Sequence, residues 1–345
     1  MKHGFNDTNS GLCQNKAVMQ LPLLTGTLPL PALPGTSGWQ GTLDDFWRVV
    51  CQQALALASA GLDAICVENR MDALFRPMNA PLDALSVSVL TRAVLMAQKV
   101  SGLPVGLSVW PNHPAAAFEI ASATDAAFIK VKLLAGTVQT PYGVLSGEPA
   151  TFITALKLLA QASGGAHALP QLWIECPETE DAYFASSASL SGMSAILPDW
   201  PTARWLLRPG QMEARVAERC LKPAHPEQPR PLYGCVLAQM SDLEQLRGVL
   251  QQPQAGALFS GAERWFISEG FEKPADATRS GFKALDSVKL ERWVQSVRQM
   301  HLALFSDGAT GGSFDASAPM RYLPSASGLL SGPSGAGATG CPHSR

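Results

Sequence analysis

Between residues 21 and 305 short, nearly continuous apolar runs alternate with longer stretches in which apolar residues recur every three or four positions. A run that is apolar throughout suits a strand buried on both faces, and the 3.6-residue period suits an amphipathic helix. Pro22 to Leu28, Leu62 to Glu68 (LDAICVE), Leu103 to Val109 (LPVGLSV) and Ala126 to Lys132 (AAFIKVK) read as the first four strands. Helices fall between them over Leu43 to Ala60, Leu82 to Ser101 and Pro114 to Ala123, and another opens at Pro149, a residue suited to a first turn. Leu169 to Glu175, Met193 to Leu197, Pro231 to Val236 and Ala255 to Phe259 bring the strand count to eight, with Arg264 to Ile267 competing for the last place. Further helices are expected around Gln211 to Leu221, Asp242 to Gln251 and Asp286 to Leu304. This alternation predicts one parallel α/β domain, a (β/α)8 barrel of the TIM type over residues 21–305. A doubly wound open sheet is the alternative.

The flanks differ. Residues 1–20 form a polar lead-in, expected to be flexible. From 306 to 345 the chain turns to Gly, Ser, Ala and Pro, a composition that buries too little apolar surface to offset ordering entropy and predicts a disordered tail. A G-x-G-x-x-G match at Gly335, Gly337 and Gly340 has neither the preceding strand nor the following helix that dinucleotide binding needs, so no cofactor is expected.

Charge and cysteine usage narrow the function classes. The 26 Lys and Arg residues against 28 Asp and Glu leave no basic surplus for nucleic acid. Seven cysteines, an odd number without a C-x-x-C pair, fit a reduced, cytoplasmic protein. No run approaches the roughly 18 apolar residues of a membrane span, so no integral membrane segment is expected, which leaves peripheral association open. Neither a zinc signature, a P-loop nor a Ser-His-Asp arrangement is visible.

In a parallel barrel the side chains at strand C-termini surround the active site. Strand two ends in Glu68-Asn69, with Asp72 close behind. Either these hold a hydroxyl-bearing ligand, with Glu68 or Asp72 as a general base, or Asn69 and Asp72 cap the following turn. Asn112, after strand three, can donate to a ligand or cap the helix near Pro114; His113 is an acid–base candidate or a surface residue. Lys130 and Lys132 lie two apart and therefore on one strand face. A buried lysine needs an anionic partner, so at least one should face Glu68 or a bound anion, the alternative being a structural ion pair. Gly136 to Gly147 (GTVQTPYGVLSG) has the length of a flap. Glu175 ends strand five, either pointing into the site or packed with Trp173 and Cys176.

The strings GTLPLPALPG, GLDAICVEN, LPVGLSV and FIKVKLLAGTVQTPYGVLSG resemble the BtpA/SgcQ family over residues 24 to 160, and LDSVKLERWV resembles it again at 285 to 294. The resemblance implies a barrel of the phosphate-binding branch, in a family tied to photosystem I biogenesis and, in bacteria, to sugar utilisation. Glu68, Asn69, Asp72 and Gly143 match its motifs. Pro29 stands where the family has a histidine, Asn112-His113 replaces Asn-Asp, and Lys130 and Lys132 replace an arginine and an asparagine. Thr140-Pro141 replaces Thr-Asp in the flap. In the loops of strands seven and eight Gly234 fits but Val236 replaces a glycine, and Ser260-Gly261 replaces Gly-Ser or Gly-Thr.

These readings predict a barrel that binds a small anionic, sugar-like metabolite, with phosphorylated ones included. Glu68 and Asp72 are the expected acid–base pair, and Asn69, Asn112, Lys130, Lys132, Gly143, Gly234 and Gly261 the expected ligand contacts. The alternative is a non-catalytic biogenesis or assembly factor with a degenerate site, working through its exterior and exposed aromatics such as Trp200, Trp205 and Trp293.

Overall fold

The computed structural model describes residues 24–74, 81–140, 143–162, 170–175, 203–214, 232–252, 265–267 and 285–305. Within these residues ten strands are formed: β1 (Leu24–Pro29), β2 (Ala64–Glu68), β3 (Val105–Ser108), β4 (Phe128–Val131), β5 (Thr137–Thr140), β6 (Gly143–Ser146), β7 (Gln171–Glu175), β8 (Arg204–Leu207), β9 (Leu232–Leu237) and β10 (Trp265–Ile267). Eight of them close a barrel in the order β1-β2-β3-β4-β7-β8-β9-β10, every neighbouring pair parallel and β10 returning to β1. The antiparallel β5–β6 pair stands apart as a hairpin, so the expected flap is largely ordered sheet. The open-sheet alternative is excluded by closure.

Six helices are bounded within the described residues, α1 (Leu43–Ser59), α2 (Ala84–Ser101), α3 (Pro114–Thr124), α4 (Pro149–Ala162), α5 (Met240–Leu250) and α6 (Ser287–Phe305), and a further one starts at Pro209, near the expected Gln211. Their boundaries follow local chemistry. Thr42 and Asp83 accept from the main-chain N–H groups of Asp45 and Ser86, closing the N-termini of α1 and α2. Gly102, at φ 67°, ends α2 in the left-handed conformation that glycine tolerates best. Apolar residues of these helices meet the outer faces of the strands in one large core, with Leu28, Ile65, Leu90, Phe118, Phe152 and Trp293 fully buried.

A second, smaller cluster fills the barrel itself: Ala64, Cys66, Phe128, Trp173, Leu206 and Val236. Phe128 stacks on Trp173 with ring centroids 4.1 Å apart. Gly106 makes room for this pair, because a Cβ there would lie 2.3 Å from the Phe128 ring. The interior is thus plugged by side chains, and residues beyond the plug on each strand sit at the barrel's C-terminal mouth.

Three expectations are corrected. The sixth barrel strand is Arg204–Leu207, the expected Met193 to Leu197 lying outside the described residues. Trp265–Ile267, the competitor, takes the eighth place instead of Ala255 to Phe259. Trp205 and Trp293 are not surface aromatics, at 3% and 1% exposure, because Trp205 faces the outer core from β8 and Trp293 anchors α6. Residues 1–20, 306–345 and Trp200 lie outside the described residues.

Candidate functional site

Side chains two residues apart on a strand share a face, and this simple period builds the site. Two residues beyond Cys66, Phe128 and Trp173, all in the plug, come Glu68, Lys130 and Glu175. The Lys130 Nζ lies 2.5 Å from Glu68 Oε1 and 2.5 Å from Glu175 Oε1. Glu68 and Lys130 are almost sealed, their side chains 3% and 7% exposed, whereas that of Glu175 is 22% exposed and meets the mouth. Burial works against a charged Lys130, yet Glu175 and Glu68 reverse the effect and hold its pKa well above the ordinary lysine value. Burial likewise raises Glu175, and Lys130, Lys132 and Arg208 together pull it below the usual glutamate value. Beneath them the Cys66 thiol, pushed up by burial and by Glu68, stays protonated and lies 4.0 Å from Glu68 Oε1.

Lys130 therefore has two anionic partners supplied by the chain. Both carboxylates expected as candidates at the ends of strands two and five are drawn into one cluster.

Asn69, Asp72 and Asn112 do different work. Asn69 is wholly buried; its Oδ1 accepts from Trp110 N at 2.8 Å and its Nδ2 donates to Asp72 Oδ2 at 3.1 Å. Asp72 Oδ1 accepts from Leu33 N at 2.8 Å. The pair thus ties the loops after β1, β2 and β3 to one another, over a longer range than the expected turn cap. Both carboxylate oxygens of Asp72 are engaged within the chain, and the residue is 1% exposed. Asn112 clamps the hairpin: Nδ2 donates to Leu133 O at 2.7 Å and Ser146 O at 3.2 Å, and Oδ1 accepts from Leu133 N at 3.0 Å. The N-cap of α3 is His113, partly buried, so Asn112 does not cap that helix.

Lys132 continues the β4 face outward and rests its ammonium 4.3 Å from the Trp110 ring centroid. Gly143 opens β6 opposite Thr140 at φ 123°, a conformation that favours glycine. Gly234 is buried inside β9, paired with Leu206, and not in the loop after it, because β9 runs on to Leu237. Gly261 lies outside the described residues. One residue escaped the sequence reading: Arg208, two positions beyond Leu206 of the plug and directly after β8. Its signal was available only once the sixth strand was placed at RWLL.

Among the described residues no group of His, Cys, Asp and Glu has the arrangement of a metal site, and no helix is long and apolar enough to cross a membrane.

Comparison with known sequences falls on the N-terminal half of the barrel. Residues 20–169 match the model of the BtpA family. The photosystem I biogenesis protein BtpA of Synechocystis is 37% identical over 123 residues, which cover 36% of this chain and 42% of that one. An uncharacterized protein of Methanocaldococcus jannaschii is 32% identical over 136 residues, covering 39% and 51%. The chain thus spans about half or less of the length of these relatives. Among solved structures, an N-acetylneuraminic acid synthetase from Leptospira borgpetersenii aligns over 86% of this chain and 88% of its own, at 11% identity and a TM-score of 0.45. A 7,8-dihydropteroate synthase from Vibrio fischeri aligns over 81% and 92%, at 12% identity and a TM-score of 0.43. The matched segment carries β1 to β4, the hairpin, Glu68 and Lys130, and over it this chain is similar to the BtpA family.

Proposed function

We propose that this chain binds a small anionic, sugar-like metabolite at the C-terminal mouth of its barrel, with the Glu68–Lys130–Glu175 cluster as the floor of the pocket. The observation that carries the reading is the cluster itself. Three charged side chains from β2, β4 and β7 stand directly on an apolar plug, at the strand ends where barrels of this type hold their ligands. Ionised carboxylates accept hydrogen bonds only, and a polyhydroxyl compound presents the complementary donors.

Acid–base work at this floor falls to Glu175. Of the two carboxylates in the cluster it is the more open to the mouth, and a general base must reach the proton it takes. Its depressed pKa makes it an acceptor for ligand hydroxyls first and a weak base second. Glu68 and Lys130 fix its position, and Asn69, Asp72 and Asn112 hold the surrounding loops and hairpin. The assembly-factor reading has less support, since Trp205 and Trp293, two of its proposed contacts, are buried.

A thermal-shift screen of purified protein against sugar phosphates and their unphosphorylated analogues tests the reading. A ligand at 100 times its Kd should stabilise the wild type by about 2.7 kcal/mol. Glu175→Gln should weaken that response while leaving the fold intact. An unchanged response to a stabilising ligand in Glu175→Gln and Glu68→Gln would place binding elsewhere.

A further inference from the structure

The inward faces of β1 and β3 carry hydroxyl groups that the ion cluster does not use. Leu24 and Leu28 on β1, and Val105 and Leu107 on β3, belong to the outer core, so the alternation of each strand turns Thr25, Thr27 and Ser108 into the barrel. Thr25 and Thr27 are wholly buried, and their Oγ1 atoms have no hydrogen-bond partner. They pair with Ala64 and Cys66, at the level of the plug, and are sealed from the mouth. Ser108 stands higher. Gly106, two residues before it, packs on Phe128 of the plug, which puts Ser108 at the mouth end of β3.

Its neighbours are two members of the ion cluster. Ser108 pairs in register with Glu68, and the pairing of Leu107 with Ile129, carried on by one residue, sets it beside Lys130. Residues in register on adjacent strands lie roughly 5 Å apart. Ser108 is 7% exposed, yet its hydroxyl bonds neither charged neighbour nor any other described residue. Glu68 is likewise incomplete, because its contacts with Lys130 and the Cys66 thiol both fall on Oε1. A hydroxyl carries a donor and acceptor lone pairs, whereas a carboxylate oxygen only accepts. Polar groups left unmatched in a nearly closed site cost stability and are few in folded proteins. One ligand hydroxyl answers both groups: it donates to Glu68 Oε2 and accepts from Ser108.

We propose that Ser108 and Glu68 Oε2 form a subsite that reads a single ligand hydroxyl, next to the place where Glu175 meets the ligand. The proposal deepens the reading of the mouth as a metabolite pocket and rests on it. The Oε1 atoms of Glu68 and Glu175 each lie 2.5 Å from the same Nζ and hence within about 5 Å of each other. The ligand class is therefore a compound with hydroxyls on neighbouring carbons. The subsite selects by chemistry. A hydrogen in place of the hydroxyl leaves both groups unmatched, a carbonyl has nothing to donate to Glu68, and an ammonium has no lone pair for Ser108.

The test is calorimetric titration of the full chain with glycerol, ribose, glucose and the phosphate esters of each, and with the singly deoxygenated analogues of whichever compound binds. The wild type should bind at least one parent compound saturably and discriminate against one of its deoxy analogues. Ser108→Ala should bind that parent about twofold to tenfold more weakly, the effect of one neutral hydrogen bond, and should discriminate less against the same analogue. Ser108→Thr, which keeps the hydroxyl, should recover most of the loss. Thermal melts should show Ser108→Ala as stable as the wild type, because the hydroxyl holds nothing within the chain. A marked loss of stability would assign Ser108 a structural role and overturn the proposal, as would parent and analogue affinities unchanged in Ser108→Ala. No saturable binding of any panel member by the wild type would overturn both the subsite and the pocket. Glu175→Gln separates the two: if it weakens binding and Ser108→Ala does not, the pocket stands and the subsite fails. The reverse pattern keeps the subsite and removes Glu175 from the pocket.

Discussion

A lysine with two carboxylates within contact distance is stable only as long as all three groups keep one another company. Removing one member of a buried ion pair commonly costs about 3 to 5 kcal/mol, because the remaining charge is left without a partner. Lys130→Met should fall in that range, since it leaves Glu68 and Glu175 facing each other across the plug. Glu68→Gln should cost less, because Glu175 still pairs with Lys130, and urea denaturation of the two variants gives the order. The pH dependence comes from the shifts. Glu175 has a folded pKa below its ordinary value, so its contribution is complete above that value, about 4.3, and drains away as pH falls through the lower folded one. Lys130 has a raised folded pKa, so its contribution is complete below about 10.4 and is lost only as pH climbs through the higher folded value. Between those limits Glu175 and Lys130 add no slope to stability. Urea midpoints should decline on the acid side, and Glu175→Gln should flatten that decline; an equal acid decline in wild type and variant would show that other groups set it.

At the scale of elements, legibility in the sequence tracked how completely a segment is buried by its own neighbours. LDAICVE, LPVGLSV and AAFIKVK were readable because strands covered on both faces are apolar at nearly every position, with charge admitted only toward their ends. The sixth strand was not. RWLL opens with an arginine, which counts against a buried strand, yet Arg204 is 4% exposed inside the barrel and paired in register with Trp173. With the strand misplaced, Arg208 could not be recognised as a mouth residue. The eighth strand, Trp265–Ile267, is three residues long and offers no period to detect. Asn112 was legible as important but not in kind, because an amide that bridges two loops leaves the same sequence trace as one that meets a ligand. Asn112→Ala removes three hydrogen bonds and leaves main-chain groups of Leu133 and Ser146 unmatched. It should lower stability by about 1 to 3 kcal/mol. Hydrogen exchange should speed up in β5 and β6 with β1 to β3 unaffected, whereas uniform exchange across the barrel would show that the clamp is not local.

Over the whole molecule, the last described helix is part of the core. Leu290, Trp293, Val294 and Val297 of α6 are buried in the outer core, and Arg298 reaches back 2.8 Å to Asp63 Oδ1, at the entrance to β2. A helix that ties residues 287–305 to the second strand closes the shell of helices, and its removal would expose the apolar faces beneath. Trp293→Ala should therefore cost about 3 to 5 kcal/mol, as for other large core aromatics. Residues 306–345, by contrast, have a composition without apolar period, and we expect them to add nothing to this core. A chain ending at Phe305 should keep the melting temperature and solubility of the full protein, while one ending before Ser287 should fail to fold. Thermal melts of the two truncations separate the helix from the tail. A marked drop on removing 306–345 alone would mean that the Gly- and Ser-rich segment docks on the barrel, and the mouth, ringed by Lys132, Arg208 and Glu175, would be the first surface to probe for it.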